Sequence, residues 1–281
     1  MTSNTTDVDV VIIGAGISGL GAAHRITEAN PGIRYVILER RDRIGGTWDL
    51  FRYPGVRSDS SVFTLCFPWE PWTRKEGVAD GADIRDYLEQ TARRHGIYRH
   101  IRFSTHVLSV DWDSATDTWT VRCESDGGAT TYRARFLFFG SGYYDYEKGH
   151  APTWPDMDQF SGRIVHPQHW PTDLDYTGKR VVVIGSGATA VTLIPSMADK
   201  TSHITMLQRS PSYVFSIPAS DPIANVLNKV LGHERAYKLV RRKNISIYAS
   251  TARLATRGRF YSEDDDRTYD VEHYELNVHF D

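Results

Sequence analysis

Two residues of opposite charge, at matching places in two similar stretches, carry the chemistry of this sequence. Glu39 stands about 20 residues past Gly19, which closes Gly14-Ala15-Gly16-Ile17-Ser18-Gly19. Arg209 stands at a similar distance past Ala190, which closes Gly185-Ser186-Gly187-Ala188-Thr189-Ala190. Both hexapeptides have the G-x-G-x-x-G/A spacing. The first glycine permits a tight turn, the second lets the backbone approach a pyrophosphate, and the small third residue lets helix and strand pack closely. A helix starting near Ser18 would offer unpaired N–H groups to phosphate oxygens. A carboxylate after the next strand accepts hydrogen bonds from a ribose diol and repels a 2′-phosphate, whereas a guanidinium there pairs with one. The first site reads as one for FAD or NAD and the second as one for NADPH. The joint chemistry is hydride transfer from NADPH to FAD.

A lone glycine hexapeptide arises by chance, so the flanking elements decide. Val8–Ile13 is an apolar strand entering the first loop, a helix-like segment runs to about Ala29, and Arg34–Leu38 is a second strand ending at Glu39. At Lys179 the pattern restarts, with Arg180–Ile184, a helix-like stretch and His203–Leu207. The bland alternatives are a glycine turn in an ordinary α/β unit and a solvated arginine at a strand end. Two loops of opposite ribose preference are much more specific than either alone. The fold class is α/β, with two dinucleotide-binding, Rossmann-like domains.

Between the two units, Gly45-Gly46 before Trp48 suggests a loop approaching something flat and large. Phe51–Asp59 is turn-rich, and by itself reads as a surface turn with a solvated ion pair. Ile84–His95 is an amphipathic helix with Ile84, Tyr87, Leu88 and Ala92 on one face. Ile101–Val110, Trp119–Cys123 and Ala134–Phe139 read as strands, the first two joined through Asp113–Asp117 as a hairpin. Phe136–Phe139 returns to the buried sheet before Gly140 and Gly142. The Pro-, Trp-, His- and Asp-rich Tyr143–Tyr176 reads as a linker. Its His166 and His169 are packed histidines rather than metal ligands, because no third ligand lies at a metal-like spacing. The expected division is an FAD-binding domain at 1–142, a linker at 143–177, a partial NADPH-binding domain at 178–244 and a divergent tail at 245–281.

Bulk properties exclude several classes. With 281 residues, Lys+Arg 33 and Asp+Glu 35, the net charge of -2 gives no bulk attraction to nucleic acid. Cys66 and Cys123 form no C-x-x-C pair, so a dithiol flavoreductase is excluded. The polar residues before Val8 do not read as a signal peptide, and no apolar run nears the ~18 residues of a membrane span. The expected location is cytoplasmic, with peripheral membrane association left open. Rings concentrate between Trp48 and Trp72, in keeping mostly with packing and in part with a planar ligand.

The linker also carries F-x-G-x-x-x-H-x-x-x-W-P in full, as Phe160, Gly162, His166, Trp170 and Pro171. With the two glycine loops, this resembles a class B flavoprotein monooxygenase of the Baeyer–Villiger type. The likeness runs roughly from Val8 to Asn244. It is strongest toward the ethionamide-activating mycobacterial branch, through Gly45–Gly55, Arg57–Ser60, His166–Pro171, Val182–Leu193 and Leu207–Pro211. The resemblance implies that Ser18, Glu39, Gly46, Thr47, Trp48, Asp49, Leu50 and Asp59 lie along FAD, with the Val107 backbone at its adenine. It puts Arg57 and Ser58 on the nicotinamide side, and Ser186, Gly187, Ala188, Thr189, Ala190, Val191 and Thr192 around the NADP pyrophosphate. Arg209 and Ser210 would grip the 2′-phosphate. Asp59 would be catalytic, orienting the nicotinamide and an arginine, while His166 and Trp170 couple domain movement to NADPH binding. In this family NADPH reduces FAD, and reduced flavin captures O2 as a C4a-(hydro)peroxide. That species inserts oxygen into a ketone or oxygenates a sulfur or nitrogen centre. Small-molecule ketone or thio-compound substrates and O2 are thus the implied partners.

The sequence departs from that family in three places. Members are longer, return to complete the FAD sheet through a strand ending in an A-T-G-like motif, and carry a later arginine that stabilises the peroxyanion. Neither the return strand nor a counterpart of that arginine is found, and Arg253, Arg257 and Arg259 do not match. From about Tyr261 the sequence turns to a charge run, Ser262–Arg267, and an alternating stretch, Val271–Phe280. The chain therefore reads as a truncated monooxygenase whose FAD sheet is incomplete on its C-terminal side. The alternative is a catalytically incompetent, nucleotide-binding remnant.

Overall fold

The computed structural model describes residues 4–209 and 219–257. Ser210 and the sequence from residue 258 onward, including the strand-like Val271–Phe280, lie outside the described residues. The chain opens with β1 (Asn4–Asp7), β2 (Val10–Ile13), α1 (Ile17–Ala29) and β3 (Tyr35–Leu38). Two single turns, α2 (Thr47–Leu50) and α3 (Val62–Leu65), precede α4 (Gly81–Arg94). Then come β4 (Ile101–Arg102), β5 (Thr105–Asp113), β6 (Thr118–Ser125), β7 (Gly128–Ala134) and β8 (Phe136–Phe139). Last come β9 (Arg180–Ile184), α5 (Ala188–Ala198), β10 (His203–Leu207), α6 (Pro222–Leu231) and α7 (His233–Arg257). No described helix is long and apolar enough to cross a membrane.

These elements form two compact units. The first takes the chain through Arg52 together with Gly81–His169; the second takes Tyr53–Asp80 and the chain from Trp170. Residues 53–80, which fall inside the first sequence interval, thus group with the second unit.

In the first unit a parallel sheet runs β4-β3-β2-β8, and a second sheet runs β1-β7-β6-β5. Val11, Ile12 and the whole of Tyr35–Leu38 are buried, the continuous apolar run that a parallel strand covered on both faces requires. The two sheets share one core, in which Val11, Val36 and Leu38 meet Val121, Cys123, Tyr132 and Ala134. β1 pairs with β7 and β2 with β8 at one constant sequence offset, Asn4 opposite Thr130 and Val10 opposite Phe136. The ladder is unbroken between them, since the Val8 amide donates to Arg133 O and the Phe136 amide to Asp9 O.

The expected hairpin is present as the antiparallel pair β5 and β6. Asp113 Oδ1 accepts the Ala115 amide at 2.9 Å, and Asp117 takes a left-handed φ of 52°. Ile101–Val110 is not one strand. Ser104, at φ 47°, turns the corner between β4 in the parallel sheet and β5 in the other. Nor is Phe136–Phe139 buried: β8 lies at the sheet edge, with Phe136 at 61% and Phe139 at 60% exposure.

In the second unit β9 and β10 pair in parallel, and α5 connects them. Thr192 of α5 is buried, and its hydroxyl meets Tyr53 Oη at 3.2 Å. From α7, Tyr237 donates to Phe67 O at 2.9 Å and Arg241 to Cys66 O at 2.7 Å, pinning the chain just past α3. Asp221 caps α6 by accepting the Ala224 amide at 3.0 Å.

Candidate functional site

The first glycine loop joins β2 to α1. Gly14 has φ 100°, and a Cβ there would stand 2.5 Å from Gly140 O. A Cβ on Gly19 would stand 1.9 Å from Gly14 O, so Gly19 is fixed by packing of protein on protein. Gly16 differs, because its Cβ would meet nothing closer than Gly46 Cα at 3.7 Å. Packing against the other described residues does not require a glycine there. α1 begins after Gly16 with no side chain capping it, so the first-turn N–H groups stay available to an anion.

A cavity of about 450 Å³ opens over this loop. Gly14, Gly16, Ser18, Glu39, Gly46, Thr47, Trp48 and Val107, all singled out from the sequence, line it. Glu39 follows β3 and is 4% exposed. Its Oε2 accepts the Ala15 amide at 2.7 Å and its Oε1 the Arg41 amide at 2.9 Å. Each carboxylate oxygen keeps a second lone pair for a ligand. Burial pushes the Glu39 pKa up, against the two amides and Arg41 that favour the charged form. The carboxylate is thus locked in direction and poor in solvent, as an acceptor for a diol requires. Open glycines, an uncapped helix end and an oriented carboxylate at one cavity fit a dinucleotide.

Asp49 and Leu50 do not line the cavity. Asp49 is 1% exposed and is ringed by cations. Arg41 binds its Oδ2 at 2.5 Å, Arg52 its Oδ1 at 3.1 Å, and Arg85 and Arg43 stand at 3.8 and 3.9 Å. It fastens the Thr47–Leu50 turn behind the wall that Thr47 and Trp48 present.

The sequence did not single out Arg40, Thr105, His106 or the stretch from Gly140 to Tyr146, which line the same cavity. The one signal for them was the tyrosine-rich run after Gly142. It has no regular period, so it read only as linker.

The second loop repeats the first. Gly185 has φ 120°, α5 starts after an uncapped Gly187, and among the described residues nothing beyond the chain neighbours and the helix's own backbone lies within 4 Å of a Cβ built at either glycine. Arg209, just past β10, is exposed. Ala190 and Thr192 face inward, the Thr192 hydroxyl donating to Ala188 O at 3.0 Å, which leaves Gly185 to Thr189 and Val191 as the accessible part.

The remaining candidates are dispersed. Arg57 and Asp59 are exposed, and the Arg57 backbone forms an isolated antiparallel β-bridge with Asp80. Ser58 is buried, with its amide donating to Ala79 O at 2.9 Å and its Oγ accepting from Ala79 N at 3.1 Å. That serine holds two loop segments together. In the fingerprint, Phe160 is exposed and folds over Gly162, where a Cβ would meet its ring at 2.4 Å. His166 Nδ1 accepts the Gln168 amide at 3.3 Å. Trp170, in the second unit, meets Tyr176 edge-on at 6.3 Å, next to Pro171.

An α/β chain with two open glycine loops, one followed by a carboxylate and the other by a guanidinium, defines a two-dinucleotide flavoprotein class. The chain belongs to the flavin-binding monooxygenase-like family, which matches residues 7–244. It is 51% identical over 252 residues to the FAD-containing monooxygenase EthA of Mycolicibacterium smegmatis, a match covering 89% of this chain and 51% of that protein. Its fold is similar to oxidized steroid monooxygenase bound to NADP, at TM-score 0.68 and 37% identity, covering 82% of this chain and 44% of the other. It is also similar to cyclohexanone-bound cyclohexanone monooxygenase, at TM-score 0.69 and 31% identity over 81% and 44% of the two chains. The chain spans about half the length of the curated relatives it matches.

Proposed function

We propose that this chain binds FAD in the first cavity and NADPH at the second loop, and acts as a flavin-dependent monooxygenase. One oxygen atom of O2 goes into a ketone, giving an ester or lactone, or onto a sulfur or nitrogen centre. The other leaves as water, with NADPH and a proton consumed. The observation that carries this is the Glu39 carboxylate, oriented by two backbone amides at the rim of a cavity whose floor is an open glycine loop. Bound FAD supplies the electron acceptor and the O2-reactive centre. Glu39 holds the ribose diol, the α1 N-terminus faces the pyrophosphate, and Thr47, Trp48 and Val107 wall the cavity. At the second loop, Gly185–Thr189 face the NADPH pyrophosphate, and the Arg209 guanidinium pairs with the 2′-phosphate. Asp59 and Arg57 act on the nicotinamide, and His166 with Trp170 transmits NADPH binding between domains. The first compact unit is the FAD domain and the second the NADPH domain. The relatives support this reading: EthA is an FAD-containing monooxygenase, and the steroid monooxygenase is NADP-bound.

One observation favours a second reading, binding without turnover. Among the described residues β8 pairs on one side only, and its phenylalanines stand exposed. An open apolar sheet edge beside the flavin cavity would let water in. The deciding experiment is a visible spectrum of the purified chain after loading with FAD and removing the excess. Anaerobic NADPH is then added, followed by O2 and cyclohexanone. Retained flavin, bleached by NADPH and yielding lactone in air, supports the monooxygenase. Bleaching without lactone supports the second reading, and flavin that washes away overturns the monooxygenase and leaves a nucleotide-binding remnant.

A further inference from the structure

Tyr146 also lines the first cavity. Its Oη stands 3.5 Å from the position a Cβ on Gly46 would occupy, a point itself 3.3 Å from Gly16 Cα. The phenol therefore comes down where the two loop glycines meet, beside the uncapped start of α1. Its hydroxyl makes no hydrogen bond to a described residue, yet it is not among the sealed, unpartnered polar atoms. It opens to the cavity. Burial, then the negative charge of Glu39, raises its pKa, so the phenol keeps its proton at neutral pH and has an O–H to donate.

The loop that carries Tyr146 is held in place. Asp145 Oδ1 accepts the Glu147 amide at 2.9 Å and the Lys148 amide at 3.3 Å, and the Glu147 carboxylate pairs with Arg40. The Asp145 carbonyl accepts Gln168 Nε2 at 2.5 Å. Gln168 is 5% exposed and sits inside the fingerprint segment, one residue past Pro167. The fingerprint thus touches the cavity wall through one side-chain hydrogen bond, made one residue before Tyr146.

We propose that Tyr146 is a ligand-binding residue whose hydroxyl donates to a pyrophosphate oxygen of the dinucleotide in this cavity, and that Gln168 is its positioning residue. The place decides the ligand atom. Glu39 accounts for the ribose at the strand end, whereas Tyr146 stands over the glycines and helix start, where phosphate oxygens lie. The inference rests on the FAD reading above.

The test is FAD affinity, by quenching of flavin fluorescence, for the full chain and for Tyr146→Phe, Gln168→Met and the double variant. A donor to a charged oxygen is lost in Tyr146→Phe, so the Kd rises about tenfold. The thermal midpoint of the ligand-free variant should not move. Gln168→Met, matched in length but without the donor, weakens binding in the native background. It adds less than about twofold to Tyr146→Phe, because it acts through the same hydroxyl. Wild-type binding with an unchanged Tyr146→Phe overturns this inference and leaves the FAD reading standing. An undiminished Gln168→Met effect in the double variant overturns the positioning role. A wild-type chain that binds no FAD overturns both the inference and the reading beneath it.

Discussion

Replacing Glu39 with glutamine tests the central site with the smallest change in shape. Two backbone amides, at 2.7 and 2.9 Å, spend one lone pair on each carboxylate oxygen. Glutamine keeps one oxygen and turns the other into a donor, so either Ala15 or Arg41 loses its acceptor, and the diol loses a charged one. A hydrogen bond to a charged group is worth about 1.5–3 kcal/mol, which predicts a roughly 10- to 100-fold rise in the FAD Kd. Stability should move in the opposite sense with pH. Burial, the largest influence, raises the folded pKa of Glu39 above its ordinary 4.5. Such a group favours the fold fully below the unfolded pKa, and that benefit is lost as pH rises through the folded one. The ligand-free wild type therefore carries a cost at neutral pH that Glu39→Gln lacks, partly offset by the orphaned amide. Flavin-fluorescence titration reads the affinity, and thermal melts from pH 4 to 8 read the stability. An affinity within about twofold of wild type would mean that Glu39 is not the ribose acceptor.

Three further outcomes are expected. Gly19→Ala places its Cβ 1.9 Å from the Gly14 carbonyl and should cost about 3 kcal/mol or more in urea unfolding. Gly16→Ala, whose Cβ meets only an ordinary 3.7 Å contact, should keep the fold and lose FAD affinity; equal destabilisation by the two would refute the division of roles. Arg209→Ala should lower the preference for NADP+ over NAD+ by about tenfold or more in direct binding, and an unchanged ratio would remove it from the 2′-phosphate site. Asp221→Ala should cost about 1 kcal/mol through the lost α6 cap. Burial opposes ionisation of Asp221, but Lys243 at 2.7 Å and the Ala224 amide outweigh it and hold the pKa below its ordinary value. That stabilisation is present above the unfolded pKa and lost as pH falls through the folded one, so the gap between variant and wild type in a melt should close in acid.

Legibility in the sequence followed the strength of local physics. β2, α1 and β3 were readable because a buried parallel strand needs an unbroken apolar run and a phosphate loop needs glycines at fixed places. Glu39 followed from spacing alone. β1 was invisible: Asn4-Thr5-Thr6-Asp7 is polar, and only its pairing with β7 makes it a strand. The corner at Ser104 was equally hidden, since Ile101–Val110 is apolar enough for one strand and only the need to serve two sheets breaks it. Asp49 was placed with the ligand by resemblance, yet it is enclosed by four arginines drawn from three stretches of the chain. Tyr146 was missed because a loop side chain is aimed by its anchors, here Asp145 and Gln168, which no periodicity records.

The single parallel register that carries β1 onto β7 and β2 onto β8 has a kinetic consequence. Both sheets are closed by the same ten-residue run meeting a partner made more than a hundred residues later. During synthesis Val10–Ile13 can pair early with β3, but its other side, and the whole of β1, must wait until β7 and β8 have left the ribosome. Loop closure over that span is the entropic toll on the whole first unit, and it is levied once, for two sheets together. One inserted residue near Val8 or Arg135 would put the two halves of the ladder out of step. Such an insertion should slow folding far more than an equal one in the Asp113–Asp117 turn, where the chain closes only on itself.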